Sequence, residues 1–375
     1  MSDLKSLTSR QRTAAVIAVA LIVIVLMILL TEAAVRVRAV IKYGYAGGIE
    51  DTFTYDPEMD LRVPVANGRF GSIEINSMGF RSPELEQPKP AGKIRFAFLG
   101  GSTTYCAEVS RADLTWPHLL TAKLAERFAQ TDIDYVNGGV PGYGASNSLR
   151  NLKYRIEPLE PDVIVIYHST NDLSYNAFQL AVAQGVAQKR VEEELFWLSK
   201  YSLLVYLIEK NLRMIVQQNR ANEATGKLQF EIDELRAPFT TALTELVEAS
   251  KRSADLVILV TFSHHLRRDQ TPEQKLRAAQ TSLYYTPFMT IDGLLDANEA
   301  YNETIREVAH QTGALLVDIA SQIPGDPEHF VDSVHMTDVG NRTMADAVFS
   351  VLVESPEVTR LMQGAAIADR STTAP

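Results

Sequence analysis

Five short apolar runs limit the folds open to this chain more than any other feature. They are Ile94 to Leu99, Ile133 to Val136, Val163 to Tyr167, Leu256 to Phe262 and Ala314 to Val317. None alternates cleanly between apolar and polar residues, as expected of strands covered by helices on both faces. The segments between them carry helical patterns. Trp116 to Phe128 is amphipathic, with Thr115 placed as N-cap and Pro117 in the first turn, where proline is tolerated. Leu149 to Ile156 and the stretch from Thr337 onward are also expected to be helical. Strands alternating with helices imply a parallel, doubly wound α/β sheet.

Such sheets build their sites beyond the carboxyl ends of their strands. Four motifs lie there: Gly100-Gly101-Ser102-Thr103, the glycine-rich turn from Gly138 to Gly144, Asn171-Asp172, and Asp332-Ser333-Val334-His335. A serine hydroxyl needs a neighbouring base during attack. His335 is the candidate base for Ser102, and Asp332 is close enough on a turn to orient it. Asp338 competes for that role, although an acid in the first turn of a helix is also explained by the helix dipole. Donors for a developing oxyanion are available from the Ser102 amide, the Gly142 amide and the Asn171 side chain. The plainer readings are a loop serine bonded to its own backbone, a Pro-Gly turn and a turn asparagine.

Other chemistries find less support. A net charge of −10 without a basic stripe argues against nucleic acid as partner. The glycines do not form a dinucleotide or P-loop fingerprint, and no G-x-S-x-G elbow occurs. No cofactor is expected. His168, His264 and His265 belong to no metal-ligand motif and are expected to face solvent in loops or at strand ends, so no metal is expected. The single cysteine, Cys106, excludes an intramolecular disulfide and is expected to be a small packing residue. Asn302-Glu303-Thr304 and Asn341-Arg342-Thr343 match the glycosylation pattern by a triplet that is frequent by chance.

Taken in order, these stretches resemble the SGNH (GDSL-type) hydrolase superfamily. Phe98 to Thr103 is similar to its first block, Asn137 to Ser146 to its second, Ser169 to Asp172 to its third and Asp332 to His335 to its fifth. The similarity begins at the lead-in Asn76-Ser77-Met78-Gly79-Phe80-Arg81 and runs to about Leu352. It implies a flavodoxin-like three-layer α/β/α sandwich with a five-stranded parallel sheet. It also implies a triad of Ser102, Asp332 and His335, with Ser102, Gly142 and Asn171 as the oxyanion hole. Gly101 stands where G-D-S has aspartate, and Ser169-Thr170 replace the usual glycines before Asn-Asp.

The N-terminal part is organised differently. Thr13 to Thr31 carries no charge. At about 1.5 Å per residue such a run just crosses a bilayer core of roughly 30 Å. A buried helix or a cleaved signal peptide are the alternatives, but Thr31-Glu32-Ala33-Ala34 is a poor cleavage site. Lys5, Arg10 and Arg12 before the run nearly balance Arg36, Arg38 and Lys42 after it, so charge does not set orientation.

The expected organisation is a cytoplasmic tail at 1–12, an anchor at 13–31, a juxtamembrane and lead-in segment at 32–90, a catalytic domain at 91–355 and a partly disordered tail at 356–375. The juxtamembrane stretch shows no strong periodicity, except for a β-like alternation from Ser72 to Asn76. A helical insertion at about 174–252 includes Ala177 to Gln218 and Phe230 to Lys251. It either rims the site, packs outside the sheet, or lies on the membrane. The resulting expectation is a single-pass membrane esterase, by analogy extracytoplasmic, acting on an ester-bearing small molecule, lipid or glycan. The alternatives are a sugar O-acyltransferase using the same triad and a non-catalytic scaffold.

Overall fold

The computed structural model describes residues 8–43, 52–187, 196–209, 211–212 and 227–372. These divide into two compact units: the N-terminal helix with the described part of 196–212, and the remainder from residue 52 onward. Residues 1–7 of the expected tail, Gly47-Gly48, and positions 188–195, 210 and 213–218 of the expected long helix lie outside the described residues.

In the first unit, α1 spans Ser9–Tyr43. Its residues 9–41 are long and apolar enough to cross a membrane, and Val16 to Leu30 expose apolar side chains along the whole run.

The second unit begins with two hairpins, β1 (Phe53–Asp56) with β2 (Leu61–Pro64) and β3 (Arg69–Phe70) with β4 (Ile73–Glu74). The first corrects the expectation of an aperiodic stretch there. The main sheet contains β5 (Ile94–Gly100), β6 (Ile133–Asn137), β7 (Val163–Tyr167), β8 (Leu256–Val260) and β9 (Leu315–Val317). All its pairings are parallel, in the order β6-β5-β7-β8-β9. This is the flavodoxin-like order, whose switch point falls between β5 and β7. Buried residues occupy every position of β5 and β7, which is why neither strand shows a two-residue period.

The connecting helices are α2 (Ser102–Tyr105), α3 (Trp116–Arg127), α4 (Ala145–Asn151), α5 (Thr170–Ala183) and α7 (Ile232–Ser253), while the short α6 at 203–209 belongs to the first unit. After β8 come α8 (Pro272–Ala278), α9 (Gln280–Tyr285), α10 (Ile291–Thr312), α11 (Asp338–Glu354) and α12 (Pro356–Thr372). Helices flank the sheet: α3 packs with α11, while α7 packs with α10, α5 and α4. One continuous core joins the sheet to the helices of the second unit, with Trp116, Phe98 and Tyr167 meeting edge to face within it.

Several local expectations change. Thr115 holds the N-cap position of α3, but its hydroxyl donates to Ala112 O rather than capping the helix. The helix expected at Leu149 starts earlier, at Ala145, and widens into a π turn over Leu152–Ile156. The expected long helix from Ala177 instead starts at Thr170 and ends at Ala183. The C-terminal tail carries a helix from Pro356 to Thr372 whose Val358 and Met362 are buried, and residues 373–375 lie outside the described residues.

Candidate active site

Ser102 is separated from β5 by Gly101 alone and is the first residue of the four-residue helix α2. The first amides of a helix have no acceptor within it, so the Ser102 N–H is available to an outside anion. The Ser102 hydroxyl lies 2.7 Å from His335 Nε2. On the other side of the ring, His335 Nδ1 lies 2.8 Å from Asp332 Oδ2. A carboxylate only accepts, so Nδ1 carries the proton and Nε2 accepts from the serine. Asp332 Oδ1 in turn accepts from the backbone amides of Val334 and His335, both at 2.9 Å. That Asx turn explains the three-residue spacing: it folds the loop back so that acid and imidazole meet.

The loop is fastened from outside. Phe330 and Met336 form a bridge across it, and Val331 N donates to His335 O. His265, just beyond β8, shares a contact of 3.0 Å between Nδ1 and Asp332 O and donates its own amide to Ser333 O. Asp338, the competing orienter, instead accepts from the amide and hydroxyl of Ser110.

The electrostatics favour a charged pair. Burial pulls His335 down, but the Asp332 hydrogen bond and the Glu108 and Asp332 carboxylates outweigh it and leave it raised. Asp332 is lowered: burial pushes it up, and its bonds to His335 and the two amides more than reverse that. Glu108 is exposed as a residue, yet enough protein surrounds its carboxyl that burial raises it, against the pull of His335.

Asn171 lies in the first turn of α5, after β7, and its side-chain amide donates to Tyr143 O at 2.9 Å. The same amide nitrogen sits so close to Gly101 that a Cβ there would collide with it. Glycine at 101, where G-D-S has aspartate, therefore permits this close approach. Gly142 has φ +87°, a backbone state that suits glycine, and faces open space. Ser102, Gly101, Asn171 and the Tyr143 carbonyl thus meet at the switch point, with Gly142 beside Tyr143.

Behind them, Asp172 accepts from the Ala145 amide, tying the start of α5 to the start of α4. Burial pushes Asp172 up to about 6. His168 contacts the Ser148 hydroxyl at 2.8 Å, and burial pushes it down to about 3. His264 is pushed down to about 3 for the same reason. Both histidines are buried and neutral, which corrects the expectation that they face solvent. His265 is half-buried. Among the described residues no group of three or more His, Cys, Asp or Glu could hold a metal. Cys106 is a buried packing residue whose thiol burial pushes up to about 12.

The lead-in segment takes a part that sequence reasoning missed. Arg81 is buried and donates through Nη1 to Tyr105 O at 2.8 Å and Cys106 O at 2.7 Å, the end of the helix that Ser102 begins. Its Nη2 reaches Ser72 O at 3.1 Å. Leu61 and Val63 of β2 pack on Val140 and Tyr143, whose hydroxyl donates to Arg62 O at 2.6 Å. The one signal available was an arginine closing the lead-in motif, with nothing to name its partners.

Residues 98–343, well over half of the chain, match the model of the GDSL-like lipase/acylhydrolase family. No curated protein sequence matches significantly. Solved structures with a similar course include an alpha/beta hydrolase enzyme from the metagenome of Lake Arreo, Spain: 17% identity, 70% of this chain, 96% of that one, TM-score 0.43. An acetylxylan esterase from Geobacillus stearothermophilus shares 16% identity over 72% of this chain and 97% of its own, with a TM-score of 0.41. A two-domain esterase active on acetylated mannans shares 16% identity over 71% of this chain and 50% of its own, with a TM-score of 0.42.

Proposed function

Because the chain belongs to the GDSL-like lipase/acylhydrolase family, we propose that it is a membrane-anchored serine esterase working through an acyl-enzyme at Ser102, with an O-acyl group of an envelope glycan or lipid as substrate. The observation that carries this reading is the continuous contact from Ser102 Oγ to His335 Nε2 and from His335 Nδ1 to Asp332 Oδ2. As the Ser102 oxygen bonds to the ester carbonyl carbon, its proton passes to His335 Nε2 and Asp332 stabilises the imidazolium. The carbonyl oxygen becomes an oxyanion, met by the Ser102 and Gly142 amides and the second N–H of Asn171. Collapse breaks the ester C–O bond, and the leaving alcohol takes the proton from His335. Water then attacks the acyl-enzyme with His335 again as base, releasing the carboxylic acid and free Ser102.

An uncleaved anchor is supported by Glu32, which lies at the one candidate cleavage site and is engaged in the fold. It accepts from the Ser202 hydroxyl and the Leu203 and Leu204 amides, at 2.8–3.0 Å. With the anchor retained, acyl groups of the envelope are the esters within reach of a catalytic unit held outside the cytoplasm.

A fluorophosphonate probe tests the mechanism. It should label the wild type and fail on Ser102→Ala, and turnover of an aryl acetate should fall on the order of 10³-fold or more. Absent labelling of folded wild type would favour a scaffold. Acetate release measured with and without a glycan acceptor separates the esterase from an acyltransferase: acceptor acetylation with negligible hydrolysis would refute the hydrolytic reading.

A further inference from the structure

The segment after α5 carries a cluster of large apolar side chains that the chemistry above does not use. Phe196, Trp197 and Tyr201 expose 51%, 61% and 74% of their surface, and Ile208 and Leu212, four residues apart at the end of the same segment, expose 50% and 56%. The segment is folded, not loose. A short 3₁₀ turn over Trp197–Lys200 leads into α6, and Glu209 reaches back to accept from the Phe196 amide at 3.0 Å and from the Ser199 hydroxyl.

Its position along α1 is fixed by hydrogen bonds within the same compact unit. Glu32 accepts from residues 202–204 at the start of α6, and Arg36, one helical turn on, donates to Tyr201 O at 2.9 Å. Glu32 is also the first charged residue after the uncharged run from Thr13 to Thr31. Nineteen residues of helix rise about 28 Å, so the run fills a bilayer core of roughly 30 Å and Glu32 marks its boundary. Tryptophan and tyrosine are the side chains that settle at such boundaries, with an apolar ring and a polar edge.

We propose that residues 196–209 and 211–212 form a second membrane contact, lying in the lipid interface beside the end of α1 and seating Phe196, Trp197 and Tyr201 at headgroup level. The occupant of this apolar face is the lipid of the same bilayer that α1 crosses. The inference rests on α1 being an anchor, not on the esterase reading. Glu32 and Arg36 leave the segment no freedom to move far from the boundary, and the aromatic cluster is what that level of the membrane accepts.

The test uses the two tryptophans of the chain. Trp116 is fully buried in the catalytic core, whereas Trp197 is exposed. The full chain is reconstituted into phosphatidylcholine–phosphatidylglycerol vesicles carrying a nitroxide quencher either near the carbonyl end or near the methyl end of the acyl chains. Trp197→Phe supplies the Trp116 background, and flotation in alkaline carbonate reports separately whether α1 is embedded.

The shallow quencher should reduce the Trp197 emission about twofold or more and the deep one distinctly less, as for an interfacial ring. Flotation with Trp197 quenched by aqueous acrylamide and by neither lipid probe would overturn the proposal while leaving the anchor intact. Shielding from lipid and acrylamide alike would also overturn it, since a protein surface would then cover the patch. Failure to float would overturn the anchor and, with it, the proposal.

Discussion

Arg81→Met tests whether the lead-in segment holds Ser102, the proposed nucleophile, in place. Methionine keeps most of the aliphatic volume and removes the donors. The Tyr105 and Cys106 carbonyls, bonded at 2.8 and 2.7 Å to a buried guanidinium, lose their partner. Hydrogen bonds to a charged group are worth roughly 1.5–3 kcal/mol each, so about 3–6 kcal/mol is lost before compensation. Burial already lowers the Arg81 pKa, a sign that the charge pays for its own desolvation, and removing it returns part of the loss. A net destabilisation of about 2–4 kcal/mol follows, within what a domain of ordinary stability survives at 25 °C.

The consequence for activity comes from where those carbonyls lie. Cys106 caps α2 with φ 57°, a left-handed state that non-glycine residues adopt only when held there. Ser102 is the first residue of the same helix, so loosening its end blurs the hydroxyl's position against His335. Misplacement of that kind costs kcat far more than KM. We expect kcat for an aryl acetate to fall about 10- to 100-fold, which is ~1.4–2.7 kcal/mol of barrier, with KM within about twofold. Arg81→Lys should recover part of the loss, because one ammonium cannot serve both carbonyls and Ser72 in the same fork. The assay pairs urea unfolding with steady-state kinetics well below the unfolding midpoint. Lower stability with unchanged kcat would refute a positioning role and leave Arg81 a packing residue.

Two further outcomes concern protons. In the proposed mechanism His335 must be neutral to accept the Ser102 proton, and its raised pKa moves the acid limb of kcat/KM above the ordinary histidine value. Asp332→Asn should move that limb to lower pH and reduce the plateau by on the order of 10⁴-fold; a pH profile with the limb unmoved would contradict the assigned pair. Stability should fall in acid, because His168 and His264 sit at about 3 in the folded chain, below their unfolded value, so between roughly pH 6.5 and 3 only the unfolded chain takes up those protons. Asp172, raised to about 6, works the other way, adding stability below its unfolded value and losing it as pH rises through 6. Between pH 7 and pH 5 His168 and His264 remove about 4 kcal/mol, Asp172 returns about 1 kcal/mol and the raised His335 and Glu108 return a further part, so urea unfolding should show a net loss at pH 5, and equal stability at the two pH values would contradict it.

What the sequence conveyed, and what it withheld, divides by the range of the interaction. The strands were legible because a strand buried on both faces must be apolar throughout, and Val163–Tyr167 is. The candidate site was legible because each of its groups follows a strand end within a few residues, and the Asx turn joining Asp332 to His335 is local. Helix α12 could have been read from Val358 and Met362, which sit four apart on one buried face, but a small, polar composition hid them. The rest depends on partners far along the chain. Whether His168 is exposed is decided by Ser148 and the helices over it, not by its neighbours in sequence. Arg81 is an ordinary arginine until Tyr105 and Cys106 present their carbonyls, and Glu32 is an ordinary helix acid until residues 202–204 arrive 170 positions later. A buried or doubly bonded charge is the one class of residue whose role composition cannot suggest, because the same side chain on the surface would look identical. Arg81 and Glu32 share that property, and each fastens a piece of chain that the motifs alone leave unattached.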